Sequence, residues 1–115
     1  MQSNIYGKKS EIIASQFLKQ KGYKIVEVNH KNEIGEIDII AQDKDYLVFV
    51  EVKARFSRAF GDPTEAVNYK KQQKIRNVAQ LYLMKTRNMN ANCRFDVISV
   101  LGIENPEIRH FIDAF

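Results

Sequence analysis

The chain has 115 residues, with 18 Lys and Arg against 14 Asp and Glu and a formal net charge of +4. That length predicts one domain, able to bury about two thirds of its unfolded surface without disulfides or a structural metal, and the single Cys93 excludes an internal bridge. His30 and His110 are isolated and no apolar run reaches signal-peptide or membrane length, so a zinc site is not indicated and a cytoplasmic protein without membrane contact is expected.

The elements read as helix, three strands, helix, two strands. Ile13, Ala14, Phe17 and Leu18 make an apolar stripe at helical spacing, and Gly22 is a natural stop after Lys21. Glu11 lies at the edge of that stripe and can reach over the rim of a sheet; the plainer reading is an acid favoured in a helix's first turn. Residues 23–28 read as the first strand and 29–34 as a polar connection leading through Gly35.

The main signal follows. Glu36-Ile37-Asp38-Ile39-Ile40-Ala41 and Tyr46-Leu47-Val48-Phe49-Val50-Glu51-Val52-Lys53 are strand-like, with Gln42-Asp43-Lys44-Asp45 as a polar turn between them. Alternation puts Asp38 on a face with Glu36 and Ile40, and puts Glu51 and Lys53 on a face with Leu47 and Phe49. If Ala41 faces Tyr46, then Asp38 faces Phe49, Glu36 faces Glu51, and Asp38 and Glu51 are diagonal neighbours about 7–8 Å apart at the backbone. The other face, with Ile37, Ile39, Ala41, Val48, Val50 and Val52, is wholly apolar, so the acids should stand at the end of a surface covered on both sides. Carboxylates crowded there are tolerated when a cation or a basic side chain compensates them, and oxygen-only ligands favour magnesium or manganese. Alternatively, Glu51 and Lys53 are ordinary polar residues at an exposed strand end and Asp38 marks a turn. Glu36, at the start of its strand, is either adjacent to the metal or on a solvated rim.

Residues 56–61 read as a loop able to move over a bound strand, with Phe56 and Phe60 tucked against the core as the alternative. Asp62-Pro63-Thr64-Glu65 has the form of a helix opening, and Ile75, Val78, Ala79 and Tyr82 form the core stripe of the helix that follows. Lys70, Lys71, Lys74 and Arg76 crowd the front of this helix, Arg55 and Arg58 follow Lys53, and Lys8 and Lys9 precede Glu11. Each group alone could be a solvated face, but three groups beside an acidic centre suit a polyanion, with phosphate contacts that weaken in salt. Residues 95–100 and 109–115 read as the last two strands. Nucleotide-binding glycine-rich loops, a serine elbow and a dinucleotide fingerprint are absent from the sequence.

Gly35-Glu36-Ile37-Asp38-Ile39-Ile40 and Val48-Phe49-Val50-Glu51-Val52-Lys53-Ala54-Arg55 resemble the YraN-like family of small bacterial proteins. The likeness covers nearly the whole chain and takes in Gly7, Glu11, Ala14, Gly22-Tyr23, Asn29, Phe60-Gly61, Glu65-Ala66-Val67, Arg94-Phe95-Asp96-Val97 and Ala114-Phe115. That family is similar to the restriction-endonuclease-like superfamily, whose signature sets an aspartate and a Glu-x-Lys or Asp-x-Lys triplet on adjacent strands; Ile37 stands where the signature has proline. The resemblance implies an α/β fold with a central mixed β-sheet of about five strands flanked by helices. It carries Asp38, Glu51 and Lys53 into catalytic roles, with Mg2+ or Mn2+ held by Asp38, Glu51 and the Val52 backbone carbonyl. Glu11 is similar to the helical acid of archaeal Holliday junction resolvases and would join that ion through water. The implied activity is metal-dependent endonucleolytic hydrolysis of DNA phosphodiesters, branched recombination or repair intermediates included. Arg55, Arg58, Lys70, Lys71 and Lys74 would contact the nucleic acid, and dimeric resolvase-like relatives leave a homodimer open. The rival readings are a non-catalytic nucleic-acid-binding module on the same fold and a scaffold subunit for a partner enzyme.

Overall fold

A computed structural model describes residues 2–55 and 67–115. The expected loop over 56–61, Arg58 and the expected helix opening at Asp62–Glu65 lie outside the described residues. The elements are α1 (Gln2–Gln20), β1 (Lys24–Lys31), β2 (Glu36–Asp43), β3 (Tyr46–Arg55), α2 (Tyr69–Lys85), β4 (Asn92–Leu101) and β5 (Glu107–Phe111). The strands form one five-stranded sheet ordered β1-β2-β3-β4-β5. Neighbours are antiparallel except for β3 and β4, the parallel pair, between which α2 lies in sequence. This mixed α/β architecture, a sheet flanked among the described residues by two helices, is consistent with a restriction-endonuclease-like fold.

Strand alternation divides the core into two layers. Ile39, Ala41, Val48, Val50, Ile98 and Val100 pack with Ala14 and Leu18 of α1. Ile40, Leu47, Phe49 and Val97 pack with Ile75, Val78, Ala79 and Tyr82 of α2. The central strands are therefore apolar on both faces because each face carries a helix.

Local chemistry sets the element ends. α1 stops at Gly22, which takes φ 95°, while the N–H groups of Gly22 and Tyr23 bond back to the carbonyls of Lys19 and Leu18. β1 runs to Lys31 rather than ending near residue 28, since His30 and Lys31 still pair with Ile37 and Glu36, and an edge strand tolerates polar side chains. The connection that follows is short, with Asn32 Oδ1 accepting from Ile34 N at 3.0 Å and Gly35 N at 3.4 Å. α2 begins at Tyr69 under its cap Asn68, whose side chain accepts from Lys71 N at 2.9 Å. β4 starts at Asn92, ahead of the expected residue 95, and β5 covers Glu107–Phe111 rather than 109–115.

At the hairpin end of the sheet sits a buried polar cluster. Asp96, with no solvent exposure, accepts from Arg94 Nε and Nη2 at 3.0 Å each, from Asp113 N at 3.0 Å and from His110 Nε2 at 2.8 Å. Arg94 also reaches Asp43 at 3.0 Å and the Tyr23 hydroxyl at 2.7 Å, and Lys21 Nζ lies 2.8 Å from His110 Nδ1.

A candidate metal-binding acid cluster

The hairpin carrying the acids closes through Lys44 and Asp45, with Lys44 at φ 53°, and pairs Asp43 with Tyr46, Ala41 with Val48 and Ile39 with Val50. The expected pairing of Ala41 with Tyr46 is thus displaced by two positions, because Gln42 and Asp43 stay in the strand instead of entering the turn. Asp43 is held there by Arg94. A slip of two leaves every side chain on its face but changes its partner. Just beyond the last regular pair, Ile39 with Val50, the Asp38 and Glu51 side chains meet in a hydrogen bond.

Regular pairing between β2 and β3 gives way at that point. Past the Ile39–Val50 pair, Val52 N–H donates to the Asp38 side chain, Oδ2, at 2.7 Å. Strict alternation also lapses: Ile37 packs with the α2 layer although Ile39 packs with the α1 layer. The loosened strand end brings Asp38 within hydrogen-bonding reach of Glu11, which lies midway along α1 and not in its first turn. The β1 register, with Val28 opposite Ile39 and His30 opposite Ile37, brackets Asn29 opposite Asp38. Asn29 adopts φ 56° and hydrogen-bonds the Glu11 side chain.

The electrostatics follow from this crowding. Burial pushes the Asp38 carboxyl up to about 9, helped by its hydrogen bond to Glu51 and by the Glu51 and Glu11 charges, and opposed by the Val52 N–H. Asp38 therefore carries a proton at neutral pH in the metal-free protein. Burial also raises Glu11, with hydrogen bonds from Asn29 and Asp38 working against the shift and the Glu36 and Glu51 charges adding to it. Among the described residues nothing donates a hydrogen bond to the buried Glu51 Oε2. Lys71 Nζ lies 3.3 Å from it, close enough for an ion pair but misaligned for a hydrogen bond.

The other sequence-derived candidates fall around this core. Lys53 is half-buried two residues beyond Glu51, on the strand face they share, beside Ser99 of β4. Glu36 is exposed on the rim, 3.9 Å from Lys31. Lys70 and Lys74 are exposed on α2, and Arg55 ends β3 with its carbonyl bound by the Tyr6 hydroxyl and by Gly102 N at 3.2 Å. Arg76 does not stand with the lysines: its guanidinium lies over the Phe95 and Phe115 rings, 4.8 and 5.6 Å from their centroids.

Two contacts of the site were not foreseen from the sequence, that of Asn29 with Glu11 and that of Lys71 with Glu51. Asn29 had a usable signal, since asparagine tolerates positive φ better than other non-glycine residues. The pairing of Lys71 with Glu51 had none, because sequence does not fix where a crossover helix sits along a strand.

The donor set is all oxygen, which suits magnesium or manganese, and the orphaned Glu51 Oε2 is an acceptor lacking a donor. Among the described residues no three His, Cys, Asp or Glu side chains form a ready cage for an ion. The fit rests on the Asp38–Glu51 pair and the adjoining Val52 backbone, with Glu11 at the edge.

The profile of the uncharacterised protein family UPF0102 matches residues 10–100. The chain belongs to the UPF0102 family. UPF0102 proteins similar to it include one from Alkaliphilus oremlandii, 53% identical over 108 residues covering 91% of this chain and 92% of the relative. Another, from Acetivibrio thermocellus, is 52% identical over 116 residues, covering 95% and 89%. A third, from Caldanaerobacter subterraneus subsp. tengcongensis, is 48% identical over 115 residues, covering 95% and 93%. The UPF0102 match answers to the YraN-like family expected from the motifs, and its span takes in Glu11, Asp38, Glu51, Lys53 and Lys71. Among the described residues of this UPF0102 chain, no helix is long and apolar enough to cross a membrane.

Proposed function

We propose that this UPF0102 protein is a metal-dependent nuclease of the restriction-endonuclease-like superfamily, similar to Holliday junction resolvases, that hydrolyses phosphodiester bonds in DNA. Branched recombination or repair intermediates are the substrates that resemblance favours. The observation that carries the reading is the hydrogen-bonded contact of the Asp38 and Glu51 side chains at a loosened strand end, with one buried Glu51 oxygen left without a hydrogen bond among the described residues. Crowded, partly desolvated acids raise the energy of the empty protein, and such clusters are enriched at functional sites.

Asp38, Glu51 and the Val52 carbonyl would hold magnesium or manganese, with Glu11 joining through water. Such an ion, when bound, neutralises charge on the scissile phosphate and lowers the pKa of a bound water. Asp38 must give up its proton to serve as a ligand, and the Val52 N–H keeps the emerging carboxylate oriented. Lys53 would hold the attacking water in line and stabilise charge building on the phosphate. Arg55, Arg58, Lys70, Lys71 and Lys74 contribute phosphate contacts that supply affinity without reading sequence. A cytoplasmic setting agrees with the free thiol of Cys93.

Cleavage assays with magnesium and manganese over duplex, flap and four-way DNA test the reading. Asp38→Ala should abolish cleavage and keep DNA binding, and Lys53→Ala should slow cleavage by about 10²-fold or more. Binding without cleavage of any substrate under all conditions would instead favour the non-catalytic module. Light scattering of the purified protein, alone and with DNA, tests the homodimer.

A further inference from the structure

Lys71 belongs to two places at once. Its Nζ stands 3.3 Å from the buried Glu51 Oε2, an oxygen no donor satisfies, while its side chain stays 48% exposed. The same side chain lines a groove of about 400 Å³ together with Lys31, Asn32, Gly35, Glu36 and Lys74. Gly35 shapes that groove: a Cβ there would lie 3.0 Å from Lys74 Cε and 3.2 Å from Val78 Cγ2, so the Lys74 stem rests directly on the glycine backbone.

We propose that the Lys71 ammonium stands in for the cation beside Glu51 in the metal-free protein and, once a divalent ion takes that oxygen, is freed into the groove to bind a DNA backbone phosphate with Lys74. This rests on the metal-dependent reading given above. The pair is half-exposed at the lysine but buried at Glu51, and a divalent ion that draws on two carboxylates offers that buried oxygen a stronger partner than one misaligned ammonium. In the metal-free state Lys71 is engaged by Glu51 and Lys31 lies 3.9 Å from Glu36, which leaves Lys74 as the groove's uncommitted ammonium among the described side chains. Releasing Lys71 adds a second. Ion and phosphate then bind with positive coupling, each strengthening the other by the same factor.

The test is calorimetric titration of Mn2+ into wild type, Lys71→Met and Lys24→Met. Lys24, exposed at the opposite end of the β1–β2 pair, controls for the loss of one positive charge. Lys71→Met should bind Mn2+ about fivefold tighter than wild type, the equivalent of a half-exposed ion pair, and Lys24→Met should stay within about twofold. In anisotropy measurements, calcium should strengthen binding of a labelled DNA duplex at least about threefold more in wild type than in Lys71→Met. Should the methionine variant misfold, lysine-ammonium nitrogen NMR of the wild type carries the test: the Lys71 resonance must shift on adding Mg2+. Equal Mn2+ affinities in wild type and Lys71→Met, equal calcium enhancement, or an unmoved Lys71 resonance at saturating Mg2+ would overturn the Lys71 proposal and leave the nuclease reading standing. Absence of Mn2+ binding in both proteins would sink the two together.

Discussion

Asp38 is protonated at neutral pH because burial, a hydrogen bond to Glu51 and two neighbouring carboxylates all disfavour its charge, against a single backbone N–H that favours it. Its folded value of about 9 lies above the ordinary 3.8, so between those values the folded chain binds more protons than the unfolded one and loses stability as pH rises. Asparagine keeps an oxygen for Val52 N–H and gains an amide that can donate to Glu51. Asp38→Asn is therefore predicted to raise the melting temperature of the metal-free protein at pH 8, with the gain shrinking toward pH 5, and to remove stabilisation by manganese. Thermal melts in chelator, then with Mn2+, check this; an unchanged or lower melting point at pH 8 would count against a crowded acid pair. Ion binding must displace the Asp38 proton, so Mn2+ affinity should also climb between about pH 7 and 9, a trend that titrations in matched buffers will reveal. Residue identity was legible at this scale: acids and a lysine on two hydrophobic strands mark themselves. Opposition was not, because it depends on where Gln42 and Asp43 leave the strand, and a polar pair so close to a turn reads equally well either way.

Among the elements, the end of regular β2–β3 pairing matters most. It lets a side-chain oxygen replace a ladder acceptor for Val52 N–H and opens room for a helix-borne acid. Helix α2 sets the other wall, and its start is fixed by Asn68. Replacing Asn68 with Ala should cost about 1 kcal/mol by urea unfolding, and Lys71 on that first turn should be displaced with it. Periodicity revealed the type and order of the elements because each helix and strand carries an apolar face. Boundaries suffered where polar residues continue an edge strand, as at His30 and Lys31.

On the scale of the molecule, the sheet is polar at both ends and apolar between. At one end the Asp96 carboxylate is fully partnered: burial works against its charge, yet His110, Arg94 and the Asp113 N–H together hold its carboxyl below the usual range. A depressed folded value means stability that is present above the unfolded pKa and lost as pH falls through the folded one. Asp96→Ala, which takes from Arg94, His110 and the Asp113 N–H the buried carboxylate they share and leaves Arg94 only Asp43 and Tyr23, is predicted to cost about 3 kcal/mol in denaturant unfolding. With Asp96 failing in acid and Asp38 in base, the metal-free protein should be most stable at mildly acidic pH, and manganese should move that optimum upward. Layering and family were readable from the sequence because they follow from hydrophobic pattern and motif; the Asp96 cluster was not, since its members come from distant segments.

The proton on Asp38 also bears on how the gene would change under different selection. Libraries screened for heat resistance alone should enrich asparagine at position 38, because an amide can keep the Val52 N–H and Glu51 contacts without a charge. A lineage that keeps it is being held to that choice by something other than folding.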